Sequence, residues 1–287
     1  MMRKKPMLAY PVSTKPIDYN KDIYIQPKLD GVRCVIQYER RVQPREDVVV
    51  AYSRTGKEWK NIHHILEQLK PFFQKYPNVI LDGELYNHDL RDDFETIISL
   101  VRRQKPDDID MLESADMVQF HCYDIIDETM TFAMRNEFIK QAVPRNHCIK
   151  HVDTLTVWNE DEAQSIHRSN LSKGYEGSIV RTNDTYACKR SHNLRKFKDF
   201  SDAEAYIVGY EEGKGKREGT IGKFIMQDED GNKFGCPPGK GYNYQDMKDM
   251  LKNIHEYMGQ TATFTYFERT KAGSYRHPLF KCIRNYE

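Results

Sequence analysis

The sequence has no run approaching the roughly 18 apolar residues that a membrane-spanning helix needs, so no such helix is expected. Its first residues, MMRKKPMLAYPV, are basic but reach Pro6 and Pro11 without an apolar stretch of signal-peptide length, which predicts an intracellular, cytoplasmic protein with no membrane partner. The six cysteines (Cys34, Cys122, Cys148, Cys188, Cys236, Cys282) form no C-x-x-C pair and no Cys/His cluster at zinc-finger spacing. They read as reduced, mostly buried thiols. Charge of one sign is also missing: 44 Lys+Arg stand against 43 Asp+Glu, divided evenly along the chain. That balance excludes a general polycation that coats nucleic acid, so any polyanion site must come from local arrangement. There is no internal repeat, low-complexity tract or long flexible linker.

What is present is enough for a real core: 287 residues, 39% hydrophobic, suit one large or two unequal domains. IYIQPKL, RCVIQYE and VVVAYS, between residues 23 and 53, read as strands, with RRVQPRED as a charged, proline-containing connection. In NIHHILEQLKPFF the apolar positions follow helical spacing, and Pro71 predicts the end of that helix. VILDGELY, VQFHCYDII and GSIVR read as strands, and DDFETIISLVRR and TFAMRNEFIKQAV as helices. NEDEAQSIHRSNL opens a further helix, with Asn159 and Glu162 at capping-box spacing. After about residue 200 the pattern becomes short strands separated by glycine-rich turns, interrupted by one helix, YQDMKDMLKNIHEYM. That pattern predicts a small barrel of the OB type.

Lys28, in KLDG, is an amine set in a strand-like run, with Arg33 nearby and Gly31 allowing close backbone approach. A protonated lysine is a poor nucleophile: its neutral fraction near pH 7 is roughly one in a thousand, about 4 kcal/mol from the reactive form. Burial, neighbouring cations or a bound metal favour the neutral amine, and an ordinary edge lysine is the alternative reading. Asp30 is a turn residue or a metal ligand. Asp82 and Glu84 share a strand face in LDGEL, and Glu176 precedes an apolar strand ending in Arg181. Such carboxylates suit Mg²⁺ or are solvated turn acids. Lys196 and Lys198 lie on one strand face opposite Phe197, as a phosphate site or a basic edge. Arg54 is a phosphate fork or a surface turn residue, and Tyr123 a base-stacking ring or core.

Taken in order, KLDGVR (28–33), SRTG (53–56), LDGEL (81–85), YD (123–124), EGSIVR (176–181) and LRKFK (194–198) resemble the covalent nucleotidyltransferase superfamily of polynucleotide ligases and capping enzymes. The tail GKGKREGTIGKF…RTKAGSYRHPLFKCIR resembles the OB domain of ATP-dependent DNA ligases, of the minimal kind found in viruses and bacteriophages.

The resemblance implies an α+β fold of two domains. Residues 1–199 would form an adenylation domain of antiparallel sheets with flanking helices, and residues 200–287 an OB-fold β-barrel, with a hinge near Asp199–Asp202. The implied reaction seals nicked duplex DNA using ATP and Mg²⁺ or Mn²⁺, by a monomer. Lys28 would take AMP from ATP, with Lys196 and Lys198 supplying positive charge at the α-phosphate. Asp30, Glu84 and Glu176 would serve the metal, and Glu84 and Glu176 also the ribose. Gln26, Leu29, Arg33, Arg54, Tyr123 and Arg181 would bind the nucleotide, with Tyr123 on adenine, Gln26 near its amino edge, and Arg33 and Arg54 on ribose and phosphate. Arg54 would later meet the 5′-phosphate of the nick, Lys214, Lys216 and Arg217 the DNA backbone, and Arg276 and Arg284 would orient pyrophosphate. Gln26 stands where many relatives carry Glu, Arg181 where Lys is frequent, and the last motif is followed only by NYE. An RNA ligase, a capping guanylyltransferase or a non-catalytic OB-type binder are the competing readings.

Overall fold

The computed structural model describes residues 4–42, 45–91, 93–198, 201–239, 241–266, 269 and 273–284. The chain divides into two compact units, Met1–Lys198 and Asp199–Glu287. Asp199 and Phe200, half of the expected hinge, lie outside the described residues.

The first unit holds two five-stranded sheets. One runs β1 (Leu8–Pro11), β10 (Arg190–Phe197), β9 (Gly177–Thr182), β2 (Ile23–Lys28), β8 (Leu155–Val157) across the sheet. The other runs β4 (Arg45–Tyr52), β3 (Val32–Val42), β5 (Ile80–Tyr86), β6 (Gln119–Ile125), β7 (Ile149–His151). Pairing is antiparallel except for two edges, β1 on β10 and β7 on β6, which are parallel. The helices are α1 (His63–Lys75), α2 (Phe94–Val101), α3 (Asp108–Met117), α4 (Phe132–Ala142) and α5 (Glu160–Ser172).

The apolar spacing of α1 puts Ile65, Leu69, Phe72 and Phe73 into the main core, where they meet Ile36, Leu81, Leu85 and Phe120 from the second sheet. Helix α5 lays Ala163 and Ile166 on Ile23, Ile25 and Val180 of the first sheet. A smaller cluster of Met7, Val35, Ile126, Tyr186 and Leu194 joins residues of both sheets.

Several local expectations are corrected. RRVQPRED is mostly strand: β3 and β4 continue to Val42 and from Arg45 in unbroken register, and a hairpin needs only two residues between its strands. Helix α1 passes through Pro71 to Lys75, because burial of Phe72 and Phe73 anchors its last turn beyond the proline. Helix α3 has no counterpart in the sequence reading. Its core-facing residues include polar Asp110 and Ser114, whereas Ile109 and Leu112 are 66% and 72% exposed, so the usual apolar signal is inverted.

The second unit is one five-stranded sheet in the order β13 (Lys233–Cys236), β12 (Ile221–Gln227), β11 (Ser201–Glu212), β14 (Thr261–Tyr266), β15 (Leu279–Ile283). The segment after β13 reaches β15: the Phe280 N–H donates to Pro237 O at 2.9 Å and the Gly239 N–H donates to Phe280 O at 2.9 Å. The single expected helix is two, α6 (Tyr244–Lys252) and α7 (Ile254–Tyr257), broken where Asn253 leaves helical geometry. The break lets Tyr257 stack on Phe224 in the core of this unit.

Candidate active site

The end of β2 alternates by strand geometry, so Gln26 and Lys28 share a face, opposite Ile179 and Gly177 of β9. Gly31 follows because a Cβ there would overlap the Leu85 carbonyl and the Glu84 side chain. Gly177 has φ +146°, and a Cβ on it would overlap the Phe197 carbonyl at the end of β10. These two glycines let Glu84 and β10 approach Lys28.

A cavity of about 270 Å³ opens here. It brings together nine of the sequence's candidates: Gln26, Lys28, Leu29, Arg33, Arg54, Glu84, Tyr123, Arg181 and Lys196. Leu8, Ala9 and Arg190, which sequence reasoning did not single out, also line it. Among the described residues its lining carries six cationic side chains (Lys28, Arg33, Arg54, Arg181, Arg190, Lys196) and one carboxylate, Glu84. A nearly neutral chain thus builds a strongly positive pocket, a setting for a polyphosphate. Asp30, Glu176 and Lys198 do not line it.

Glu176 nevertheless touches the site through lysines. One carboxylate oxygen takes the Lys28 ammonium and the other takes that of Lys198, and the Glu176 side chain is only 4% exposed. Lys198 lies one residue beyond β10, so its alignment with Lys196 comes from the strand end.

Arg33 is committed to a partner. Its Nε and Nη2 donate to the two oxygens of Asp82 at 2.6 and 2.5 Å. A direct ribose or phosphate contact therefore falls to Nη1, which makes no hydrogen bond among the described residues. Glu84 accepts from the Tyr123 hydroxyl at 3.1 Å, and burial pushes its carboxyl up to about 7 against the pull of Arg33 and Lys28. In β6, Tyr123 is the extra residue of a bulge, between Cys122 opposite Gly83 and Asp124 opposite Asp82. The bulge places its ring beside the Arg33 and Arg181 guanidiniums, 5.2 and 5.5 Å from its centre.

Gln26, expected near the amino edge of the base, has protein partners in this structure. Gln26 is buried, its Oε1 accepts from Arg181 Nε at 2.7 Å, and its Nε2 donates to Thr154 Oγ1 at 2.8 Å. Both ends of the amide are already engaged. Arg181 in turn donates from Nη1 to Asp124 at 2.6 Å, and Asp124 also takes Arg135 at 2.6 Å. The Arg181 guanidinium at the cavity wall is thus held by a buried carboxylate that the YD motif contains but to which the sequence reading gave no role.

Among the described residues no three His, Cys, Asp or Glu side chains converge to cage a metal. Mg²⁺ usually needs only one or two carboxylates plus substrate phosphates. Glu84, half-buried in the cavity wall, fits that requirement; Glu176 fits it only when the lysines release it, and Asp30 is not at the cavity wall.

In the second unit, Lys214, Lys216 and Arg217 lie exposed on a compact loop closed by Gly213 N–H to Thr220 O at 2.9 Å and Gly219 N–H to Glu212 Oε1 at 2.9 Å. Arg284 is ion-paired with Glu204. Arg276 sits beside His277, which adopts φ 51°.

Two packed sheets with Lys28 at the cavity, followed by a five-stranded sheet unit, define a nucleotidyltransferase domain joined to an OB-like domain. Residues 6–198 match the family model of the ATP dependent DNA ligase domain, and residues 212–284 match that of the DNA ligase OB-like domain. The chain belongs to the ATP-dependent DNA ligase family, whose nucleotide is ATP and whose target is DNA. It is 30% identical to the DNA ligase of African swine fever virus over 210 residues, 70% of this chain and 47% of the viral protein. It spans about half the length of the curated relatives it matches. A solved Lig E DNA ligase, described as DNA binding with a minimal scaffold, superposes with a TM-score of 0.77 at 22% identity, covering 99% of this chain and 100% of that one. The ATP-dependent DNA ligase from bacteriophage T7, in complex with ATP, gives 0.57 at 19% identity and 98% coverage of both chains. At these identities the likeness is one of fold. No described helix is long and apolar enough to cross a membrane.

Proposed function

We propose that this chain is an ATP-dependent DNA ligase that works as a monomer and seals nicks in duplex DNA. The observation that carries this reading is Lys28 at a cavity lined by six cationic side chains, three of which (Lys28, Arg33 and Arg181) are held by the buried carboxylates Glu176, Asp82 and Asp124 behind the wall. Preorganised positive charge of this kind is the largest catalytic contribution open to a phosphoryl-transfer site.

In the first step the neutral Lys28 amine attacks the α-phosphate of ATP. A phosphorus–nitrogen bond forms, the bond to the bridging oxygen breaks, and pyrophosphate leaves while the amine proton passes to solvent. The Lys28–Glu176 contact is the resting arrangement and must open before attack. Lys196 meets the α-phosphate, and Lys198 keeps Glu176 in place as Lys28 leaves it. Tyr123 and Leu29 hold the base, with Gln26 shaping the wall behind them, and Arg33 offers Nη1 to the ribose or phosphate. A divalent cation, Mg²⁺ or Mn²⁺, when bound at Glu84, neutralises charge on the phosphates.

In the second step an oxygen of the nick's 5′-phosphate attacks the adenylyl phosphorus, the phosphorus–nitrogen bond breaks, and Lys28 leaves as an amine with a proton taken from solvent. In the third the 3′-hydroxyl displaces AMP and closes the strand. Arg54, on the exposed turn after β4, meets the 5′-phosphate; Lys214, Lys216 and Arg217 hold the DNA backbone; Arg276 and Arg284 orient pyrophosphate, Arg284 after leaving Glu204.

The test is a duplex with one nick carrying a labelled 5′-phosphate, incubated with the chain, ATP and Mg²⁺ and run on a denaturing gel. A longer labelled strand that depends on ATP supports the reading. Sealing confined to a nicked RNA duplex would replace it with an RNA ligase.

A further inference from the structure

The N-terminal strand forms part of the cavity wall, yet none of the roles above uses it. Leu8 and Ala9 of β1 line the cavity, and β1 is hydrogen-bonded to β10, with Pro11 opposite Lys196. Along its length the strand is paired with β10, and at its start, at Met7, it is tied down by one buried hydroxyl. Tyr186, 2% exposed, lies on the connection between β9 and β10. Its oxygen accepts the Met7 N–H at 2.7 Å and donates to Asp82 Oδ2 at 2.6 Å. The same Asp82 holds both Nε and Nη2 of Arg33, and Nη2 reaches back to the Met7 carbonyl at 3.3 Å. Met7, Tyr186, Asp82 and Arg33 therefore close a ring: the backbone of Met7 both donates into it and accepts from it. The Met7 side chain, 1% exposed, packs with Val35, Ile126 and Leu194 beneath.

We propose that Tyr186 is a positioning residue of the nucleotide site, tying the N-terminal wall of the pocket to the Asp82–Arg33 pair so that wall and guanidinium hold one arrangement. The proposal rests on the reading of this cavity as the ATP site. The phenol has one donor and two acceptor positions: it donates to the Asp82 carboxylate and accepts from the Met7 N–H and, at 3.4 Å, from Arg33 Nη2. A phenylalanine keeps the ring's volume but leaves the buried Met7 N–H without its acceptor and removes one of three donors from Asp82. The strand end and Arg33 both loosen.

The experiment compares full-length Tyr186→Phe with wild type. The ATP concentration for half-maximal lysyl-AMP formation rises about tenfold, the scale of one lost hydrogen bond to a charged network, while the rate at saturating ATP stays within about twofold. In an Arg33→Ala background the same substitution raises that concentration by a clearly smaller factor than in wild type, because one of the two groups it positions is gone. Hydrogen exchange of the peptide around residues 4–11, measured without nucleotide, speeds up in Tyr186→Phe. An effect of Tyr186→Phe that is equal in both backgrounds, or a fall in saturating rate with unchanged ATP dependence, would mean that the hydroxyl only stabilises the fold and would overturn the proposal, as would unchanged exchange. If wild type takes no label from ATP while exchange still quickens, the ATP reading fails and the tie between Tyr186 and the strand stands.

Discussion

The Tyr123 hydroxyl donates to Glu84 Oε2 across 3.1 Å, between neighbouring strands of one sheet. Burial raises the Glu84 carboxyl from 4.5 to about 7, and this hydrogen bond opposes the rise. Lysyl-AMP formation is therefore expected to climb with pH through about 7 as Glu84 ionises. Tyr123→Phe removes the opposing bond and moves the midpoint of that climb to higher pH. A pH series of single-turnover labelling reads both; a midpoint that does not move, or moves down, contradicts the assignment.

The same shift has a stability consequence of definite sign. Between pH about 4.5 and 7 the folded chain holds more protons at Glu84 than the unfolded chain, so its contribution makes the fold less stable as pH rises across that window and is constant above it. Glu84→Gln is expected to be more stable than wild type near pH 8, by about 1–3 kcal/mol, and not near pH 4. Urea titrations at the two pH values check this.

Arg135 and Arg181 share Asp124, and all three are at most 4% exposed at the side chain. Arg135→Met leaves Asp124 with half of its compensation in a dry interior, so we expect a loss of about 3–5 kcal/mol. The urea midpoint of the first unit reports it, and a change under about 1 kcal/mol would show that Arg181 alone suffices.

Much of this site was legible in the sequence because its motifs sit at strand ends, where period-two alternation fixes which side chains share a face. Lys28, Glu84 and Lys196 were readable in that way; Tyr123, the extra residue of the bulge in β6 where the alternation breaks, came from the family resemblance. The partners that hold them were not. Asp124 was seen only as part of a motif, and Tyr186, Arg135 and Thr154 are distant in sequence from the groups they serve; only folding brings them together. Helix α3 was hidden because its exposed face carries Ile109 and Leu112 while Asp110 and Ser114 are buried. The end expected at Pro71 failed because buried aromatic rings outweighed a local breaker.

Gly177 shows how a small residue sets the site. Its φ of +146° and the Phe197 carbonyl beside it leave no room for a methyl group. Gly177→Ala should lower stability by about 1–3 kcal/mol and displace the end of β10, with loss of labelling that adding ATP does not restore. Thermal unfolding together with an ATP titration separates the two effects.

The exposed loop Lys214–Arg217 is expected to act on DNA alone. Replacing Lys214, Lys216 and Arg217 by Ala should reduce the slope of log affinity against log salt by about 2–3 and leave lysyl-AMP formation unchanged. Nicked-duplex binding across a salt series measures the slope.

The central claim is that Lys28 carries the adenylyl group. The most direct test incubates the full chain and Lys28→Ala with Mg²⁺ and ATP labelled at the α-phosphate, followed by denaturing electrophoresis. We expect label on wild type, none on the variant, and transfer of that label to nicked DNA. Equal labelling of Lys28→Ala would place the nucleophile elsewhere and contradict the account.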